Sequence, residues 1–312
     1  MEETTRGNMT FKEKMHWFWY DVKMSKTYYL FLLPYALVFI TFLVLPVIIS
    51  IFFSFTYYNI FEPPKFIGLD NYTNLLLGDD IFLKAVTNTL LMALITGPIG
   101  YIMAFVFAWF IHGLPRLLRA FAVLIFYAPT LSGSVFLVWL LIFSGDQYGY
   151  ANAILRSLGL NTGQPIYFLT NPDYMMPIIL VVILWMSLGA GFLSFVAGLQ
   201  TVDRSQYEAG YIDGVRNRWQ ELWFITLPNM KGMLLFGAVM SITQSFAVGD
   251  ITTALCGFPS TDYAVHTIIN HLVDYGTLRF DMGYASAIAT LLFLIMVLCN
   301  RYIQKAIGRI GK

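Results

Sequence analysis

Asp250 is the only acidic residue that lies inside an apolar stretch of this sequence. A charge at the centre of a membrane-crossing helix costs about 2.5 to 3.5 kcal/mol on insertion scales, so Asp250 is not expected to face lipid. Two interpretations stay open: the carboxylate borders a polar interior, or it is a hydrated helix-terminal residue that caps nearby backbone. A proton or sodium relay would want several such groups, and the sequence offers this one.

The apolar stretch around Asp250, predicted as a helix over Met233–Leu255, also carries a polar stripe. Residues that recur every three or four positions share one face of a helix. That face holds Ser241, Gln244, Ser245, Val248 and Thr252.

A second polar stretch, residues 200–230, lies between two long apolar segments and contains Glu208 and Asp213. Residues typical of helix starts and helix ends alternate along it. Asp203 with Gln206, and later Asn217 with Gln220, are typical of helix starts. Gly214 and Pro228 are typical of helix ends. The sequence therefore predicts a helix, a bend at Gly214 in the left-handed conformation, and a second helix that Pro228 ends.

Several kinds of chemistry are not indicated. No stretch matches G-x-x-x-x-G-K-[ST], so the chain is not expected to hold ATP through a Walker A loop of its own. No metal, disulfide or hydrolase constellation is apparent among the cysteines and histidines, which are Cys256, Cys299, His16, His112, His266 and His271. In the last outer loop, the group formed by Tyr263, His266, Asn270, His271 and Tyr275 serves a docked protein or covers a helix end, and both interpretations stay open.

The composition is that of an integral membrane protein. The chain is 58% hydrophobic and 12% charged with a mean hydropathy of +0.66, against about 25% charged residues in soluble domains. The net charge of +1 gives no electrostatic reason to expect nucleic acid. Apolar segments long enough to cross a bilayer lie at about Tyr28–Phe55, Ala85–Ile111, Leu118–Phe143, Pro177–Leu199, Met233–Leu255 and Met282–Ile303. In the fourth, Ser187 with Gly191 and Ser194 with Gly198 predict close helix packing.

The distribution of lysine and arginine predicts the orientation. An even number of spans puts both termini on one side, and that side, which includes the loop with Glu208, holds 15 of the 19 basic residues. Cytoplasmic loops carry the excess of positive charge. We therefore expect both termini and residues 200–230 in the cytoplasm, with the basic and aromatic segment 1–27 at the anionic lipid surface.

The stretch Glu208-Ala209-Gly210, followed by Gly214 and by Ile225-x-Leu227-Pro228, resembles the EAA loop of ABC importer permeases. Gly210 stands in place of the second alanine, and ten residues separate Gly214 from Ile225, one more than in the family pattern. In that family the loop is a coupling helix that docks on a cytoplasmic ATPase subunit. The resemblance thus implies a coupling role for Glu208, Ala209, Gly210, Asp213 and Gly214.

Other segments resemble the sugar-type branch of the family, which includes the maltose and glycerol-3-phosphate importers: Phe66–Tyr72, Asn88-Thr89, Arg116–Phe121, Gly149–Leu155, Gly257-Phe258-Pro259 and Gly283–Ala289. The likeness covers about Tyr28 to Lys305. It implies an all-α fold of six transmembrane helices over 28–305 with a cytoplasmic coupling helix and a tail at 306–312. It makes Gln244, Ser245 and Val248, and with less support Asp250, candidate contacts along the substrate pathway.

The resemblance also implies partners. The chain would be one permease subunit of a prokaryotic inner-membrane importer, itself neither an enzyme nor a cofactor-binding protein. It would work with a second related permease, with cytoplasmic ATPase subunits that bind the ATP, and with an extracytoplasmic solute-binding protein. The alternatives are an ion-coupled secondary transporter, and a membrane scaffold that holds a partner without transport.

Overall fold

The computed structural model describes residues 11–160 and 163–307, and most of these are helical. By backbone contacts the chain divides into two compact units, one up to Phe53 and one from Ser54 onward. The predicted terminal segments 1–27 and 306–312 lie partly outside the described residues, at 1–10 and 308–312. The predicted domain boundaries stay predictions.

The first unit consists of helices. α1 is Phe11–Met24, α2 is Lys26–Phe39, and a π-helical turn at Ile40–Val44 joins α2 to α3, Leu45–Phe53. The run Lys26–Phe53 has 28 residues and is strongly apolar, which is enough to cross the hydrocarbon core.

The second unit begins with a two-stranded antiparallel sheet and continues through helices. The strands are β1, Thr56–Tyr57, and β2, Lys65–Phe66, with Thr56 opposite Phe66. The first helices are α4 Asp70–Leu77, α5 Asp80–His112, α6 Arg116–Leu131, α7 Val138–Ile142, α8 Tyr150–Ser157, α9 Pro172–Met186 and α10 Ala190–Thr201. They are followed by α11 Arg204–Ile212, α12 Arg218–Glu221, α13 Leu227–Asn229, α14 Lys231–Phe246, α15 Asp250–Cys256, α16 Ile268–Val273 and α17 Met282–Ile307.

Six segments of the described chain are long and apolar enough to cross a membrane, if each bent pair counts as one span. Four are continuous: Lys26–Phe53, Asp80–His112, Pro172–Thr201 and Met282–Ala306. Two are bent pairs, Arg116–Leu131 with Val135–Ile142 at 84° and Arg218–Asn229 with Lys231–Phe246 at 82°. The predicted all-α class with six spans is confirmed on that count.

The predicted helix over Met233–Leu255 is wrong in its second half. α14 ends at Phe246, and α15 starts at Asp250. Side chains of the loop that follows α15 bind the carbonyls at this break. Thr267 Oγ1 donates to the Val248 carbonyl at 2.7 Å, and Asn270 Nδ2 donates at 3.2 Å to the Gly249 carbonyl, which also accepts the Thr253 amide. The polar stripe is therefore divided between α14, the break and α15.

The core of the second unit is formed by α5, α10, α14 and α17, with α14 in contact with the other three. Small residues allow the close approach, because a Cβ on Gly191 of α10 would lie 3.5 Å from the Gly237 carbonyl oxygen of α14. A Cβ on Gly198 would likewise lie 2.8 Å from Met233 Cγ. The predicted close packing of the fourth span is confirmed at these two glycines.

Asn270 ties the last outer loop to α15 from a buried position, with 4% of its surface exposed. Its Oδ1 accepts from the Thr267 amide at 2.9 Å and from the Thr252 hydroxyl at 2.9 Å, and its Nδ2 donates to Thr253 Oγ1 at 2.7 Å. All of the hydrogen-bonding capacity of the amide group faces protein. The loop therefore covers a helix end here and does not present Asn270 to a docked protein.

The two histidines of the same loop are also buried and form a hydrogen-bonded row that ends on Asp79. His266 Nε2 lies 3.4 Å from His271 Nδ1, and His271 Nε2 lies 3.0 Å from Asp79 Oδ2. Burial lowers the pKa of His266 to about 4 and lowers the pKa of His271. Burial raises the pKa of Asp79, but hydrogen bonds from the Phe82 amide and the Tyr284 hydroxyl outweigh it, and the net pKa is lowered. Asp79 is thus an ionised N-cap of α5 that also anchors α16 and α17.

Replacing Asn270 with alanine should lower the free energy of unfolding by about 2 to 4 kcal/mol, because it leaves several buried donors and acceptors without partners. Denaturant titration of the purified protein in detergent measures the change. Asn74→Ala, at an exposed position of α4, is the matched control and should stay within about 0.5 kcal/mol of the parent. Equal stability of the two variants would contradict the structural role given to Asn270.

Candidate functional site

The predicted coupling region is a helical hairpin, residues 203–229, that begins with a capped helix. The Asp203 carboxylate accepts the Ser205 amide at 3.0 Å at the start of α11, and this bond lowers the pKa of Asp203. The predicted helix start at Asp203 is confirmed, but Gln206 takes no part in it. The Asp203 carboxylate binds the Ser205 amide, and Gln206 Oε1 accepts from Asn229 Nδ2 across the hairpin.

Gly214 ends α11 as predicted. Its φ is +94°, in the left-handed region. The Val215 amide donates to the Gly210 carbonyl at 2.9 Å, and the Gly214 amide donates to the Tyr211 carbonyl at 3.3 Å. This pair of hydrogen bonds defines a Schellman motif, which fixes the angle at which the chain leaves the helix.

The second arm of the hairpin starts at the predicted residue and ends one residue later than predicted. Asn217 Oδ1 accepts the Gln220 amide at 2.9 Å. The arm then passes through a π-helical turn, Leu222–Thr226, and continues as α13 to Asn229, so Pro228 sits inside the last helical turn. A π-turn takes in one more residue than an α-helical turn. Ile225, at the end of the spacing that is one residue longer than the family pattern, lies within this turn.

The two arms are joined along their length. Thr226 Oγ1 donates to the Glu221 carbonyl at 3.2 Å, so the Tyr207 hydroxyl donates to Thr226 Oγ1 at 2.9 Å. The Tyr211 hydroxyl donates to the Glu221 carboxylate, which raises the pKa of Tyr211. These bonds make the hairpin one body.

The predicted coupling residues fall on two sides of α11. Glu208, Ala209, Asp213 and Gly214 are exposed, next to Ile212, of which 87% is exposed. Gly210 is buried, and a Cβ there would lie 2.5 Å from Ile225 Cδ1. Gly210 therefore allows the two arms to approach each other, whereas the other four face outward.

Glu208 forms an ion pair with Arg204 of the same helix, with Nε and Oε1 3.2 Å apart. Both side chains are largely exposed, and exposed pairs at this spacing contribute about 0.3 to 0.5 kcal/mol. The pair supports α11 only weakly.

The hairpin rests on the end of α5. The rings of Trp109 and Trp219 are 5.0 Å apart, and the Arg218 guanidinium covers Gly113, where a Cβ would lie 3.2 Å from Nη2. On its other side the hairpin continues directly into α14. The core helix α5 thus ends at the hairpin, and the core helix α14 starts there.

A cavity of about 300 Å³ lies between the helices of the second unit. All four predicted pathway residues, Gln244, Ser245, Val248 and Asp250, line it. Gln244 and Asp250 are exposed, whereas Ser245 and Val248 are buried. Asp250 is the first residue of α15 and lines this cavity, and its carboxylate caps no backbone amide within the described residues.

Other lining residues were not predicted to line a cavity. They include Thr96 of α5, Thr130 and Gly133 at the end of α6, and Ser187 after α9, which the sequence singled out for helix packing. Nothing in the local sequence marks them as cavity residues, because their proximity depends on where α6 and α9 break. Among the described residues no group of histidine, cysteine and acidic side chains could hold a metal ion.

Comparison with known proteins gives one consistent family. Residues 96–309 match the model of the binding-protein-dependent transport system inner membrane component. The chain is similar to the probable ABC transporter permease protein YesP of Bacillus subtilis strain 168, with 31% identity over 89% of each chain. It is also similar to the arabinooligosaccharides transport system permease protein AraP of the same organism, with 28% identity over 93% of this chain and 92% of that protein.

A solved structure has the same fold. It is a bacterial alginate ABC transporter in complex with an alginate pentasaccharide-bound periplasmic protein. The likeness has a TM-score of 0.73 at 24% identity and covers 94% of this chain and 99% of that chain.

Gly214→Ala should weaken the end of α11, because a side chain in the left-handed conformation costs about 1 to 2 kcal/mol and no atom lies within 4 Å to compensate. We expect roughly tenfold faster hydrogen exchange of the Gly214 and Val215 amides. Gly232→Ala, also in open space but in the helix α14, is the control and should leave these rates unchanged. Unchanged exchange in Gly214→Ala would contradict the Schellman assignment.

Proposed function

Because the chain belongs to the family of binding-protein-dependent transport system inner membrane components, we propose that it is a permease subunit of an ABC importer that moves a sugar or oligosaccharide. The 203–229 hairpin carries the proposal. Hydrogen bonds join its two arms, and four of the five predicted coupling residues are exposed on it. It is also continuous with the core helix α14. A rigid exposed body joined to core helices is suited to receive a movement from a partner and pass it on.

The energy source in this proposal is ATP bound by a separate subunit. The absence of a G-x-x-x-x-G-K-[ST] stretch from the sequence supports this division of labour. ATPase subunits would close in the cytoplasm against Glu208, Ala209, Asp213 and Gly214. The chain itself would hold no cofactor.

The substrate pathway of the proposal passes along the cavity. α5 spans about 20 Å between Trp109 at the hairpin and Thr96 at the cavity, at 1.5 Å per residue. α14 likewise leads from the hairpin to Ser241, Gln244 and Ser245. Displacement of the hairpin therefore displaces two walls of the cavity, which is the geometry that alternating access needs. Loaded substrate promotes the change only if it favours the state that ATP binding favours.

A saccharide substrate is supported by similar proteins, whose names include arabinooligosaccharides and alginate. The partners of the proposal are a second related permease, which would complete the pathway beside the exposed Gln244 and Asp250, and an extracytoplasmic binding protein like the one bound to the alginate transporter. An ion-coupled mechanism has less support, because Asp250 is the one carboxylate among the described residues that line the cavity.

Glu208→Ala in the reconstituted complex should abolish most of the stimulation of ATP hydrolysis by loaded binding protein, at least about tenfold, which is 1.4 kcal/mol of lost coupling. Arg204→Ala breaks the same ion pair but leaves the Glu208 carboxylate, so it should keep the stimulation. Co-purification of the ATPase subunits checks assembly of both variants. Equal behaviour of the two variants would mean that Glu208 only supports its own helix.

The proposal places both termini and the hairpin in the cytoplasm of an inner-membrane protein. In right-side-out vesicles, a membrane-impermeant thiol reagent should label Tyr148→Cys and leave Ile212→Cys unlabelled until the vesicles are opened. Both side chains are well exposed, at 78% and 87%, so a difference in labelling would reflect the side of the membrane and not burial of the residue. Labelling of Ile212→Cys from outside would reverse the orientation.

A further inference from the structure

The charge of the cavity wall is negative and comes from one residue. Of the fifteen residues that line the cavity, all of them described, only Asp250 is charged. Its carboxylate has no hydrogen-bond or ion-pair partner within the described chain, and the side chain is exposed to the cavity. No lysine, arginine or histidine is among these described lining residues, so no cation of the wall offsets the charge of Asp250.

The hydroxyl groups of the cavity wall can only accept hydrogen bonds from a ligand, because each already donates its hydrogen to the backbone. Each hydroxyl has one hydrogen to donate and two lone pairs. All five lining hydroxyls give that hydrogen to a backbone carbonyl at 2.7 to 3.1 Å: Thr96 to Met92, Thr130 to Leu188, Ser187 to Leu184, Ser241 to Gly97 and Ser245 to Ile242. What they offer to a ligand is therefore lone pairs.

Few groups of the cavity wall can donate a hydrogen bond to a ligand. Gln244, whose side chain makes no hydrogen bond within the described residues, supplies the only lining side-chain N–H groups. The Ala247 amide already donates to the Thr243 carbonyl at 3.1 Å. The Asp250 and Ile251 amides, in the first turn of α15, have no helical acceptor and are further donors. The Asp250 carboxylate lies beside them and opposes the approach of a ligand anion.

A wall of this kind suits ligands that donate hydrogen bonds. Ligand hydroxyl or ammonium groups can satisfy the five hydroxyl oxygens and Asp250, and Gln244 can serve one ligand acceptor. A ligand carboxylate or sulfonate is an acceptor only, so in exchange for its hydration it would gain few donors, and it would also meet the negative charge of Asp250.

We propose that the cavity wall supplied by this chain admits a polyhydroxylated ligand that is uncharged or carries an amine, and disfavours an acidic one. The inference rests on the proposed function, because the cavity must be the substrate pathway for its chemistry to select the substrate. Asp250 is the residue that sets the sign of the selection.

The test uses the charge of a small probe, so it needs no knowledge of the natural ligand. In the assembled complex, with Cys256 and Cys299 replaced by alanine, Ala247→Cys puts a thiol on the cavity wall three residues from Asp250. Methanethiosulfonates with an ammonium or a sulfonate group are compared, and each rate is divided by the rate of the same reagent with a free thiol. We expect the ammonium reagent to react about tenfold faster, since a cleft of one sign concentrates counter-ions by about ten to a thousand fold.

Substitutions of Asp250 test whether its charge causes the difference between the two reaction rates. Asp250→Asn should bring the ratio of rates close to one, Asp250→Lys should invert it, and Asp250→Glu should preserve it. Asp146→Asn, which removes an exposed carboxylate elsewhere, should leave it unchanged. A parent ratio near one, or a ratio that Asp250→Asn leaves unchanged, overturns the inference alone. If neither reagent reaches Ala247→Cys, the cavity is no pathway, and that result counts against the proposed function together with the inference.

Discussion

The structure depends on one constraint: between membrane-crossing helices, a backbone polar group that leaves the helical pattern must find another partner. Three helical segments break, at 132–134, 187–189 and 247–249. Partners are supplied from outside the local helix, as when Thr130 donates to the Leu188 carbonyl and Thr267 donates to the Val248 carbonyl. The cavity lies where these breaks meet, lined by Gly133, Ser187 and Gly249. Irregular backbone and polar interior are therefore the same feature of the fold.

Much of the fold and of the hairpin could be predicted, because the signals are local. Uninterrupted apolar runs mark the spans, and Gly214 marks the left-handed end of α11. The predicted family membership is confirmed by the comparisons. The break after Phe246 could not be predicted, because Ala247 and Val248 continue the apolar pattern and the cause of the break lies in Thr267 and Asn270, some twenty residues away. The four residues predicted along the pathway line one cavity, but their neighbours on α5 and α6 were not predicted, because distant residues fix the breaks that bring them together.

Buried asparagines hold the outer loops. Asn71 Nδ2 donates to the Ser54 and Thr56 carbonyls, Asn88 Nδ2 to the Tyr263 and His266 carbonyls, and Asn152 Nδ2 to the Ile166 carbonyl, all at 3.0 to 3.1 Å. Three of the segments that carry the resemblance to sugar-type permeases contain one of these residues. Their side chains satisfy loop carbonyls away from the cavity. The likeness in these three segments thus reflects how the loops are held.

The hydroxyl groups of the cavity have a consequence for how such a protein changes over generations. Thr96, Ser187 and Ser245 each bind a carbonyl of the preceding turn of their own segment, so exchanging one of them for alanine removes an acceptor from the wall without leaving a distant group unpaired. Asn270 has no such freedom, because its partners belong to other segments. The hydrogen-bonding character of the cavity wall can therefore drift by single substitutions while the architecture stays the same. If substrate passes along this wall, as proposed, a lineage can acquire a new nutrient without first passing through an unstable intermediate.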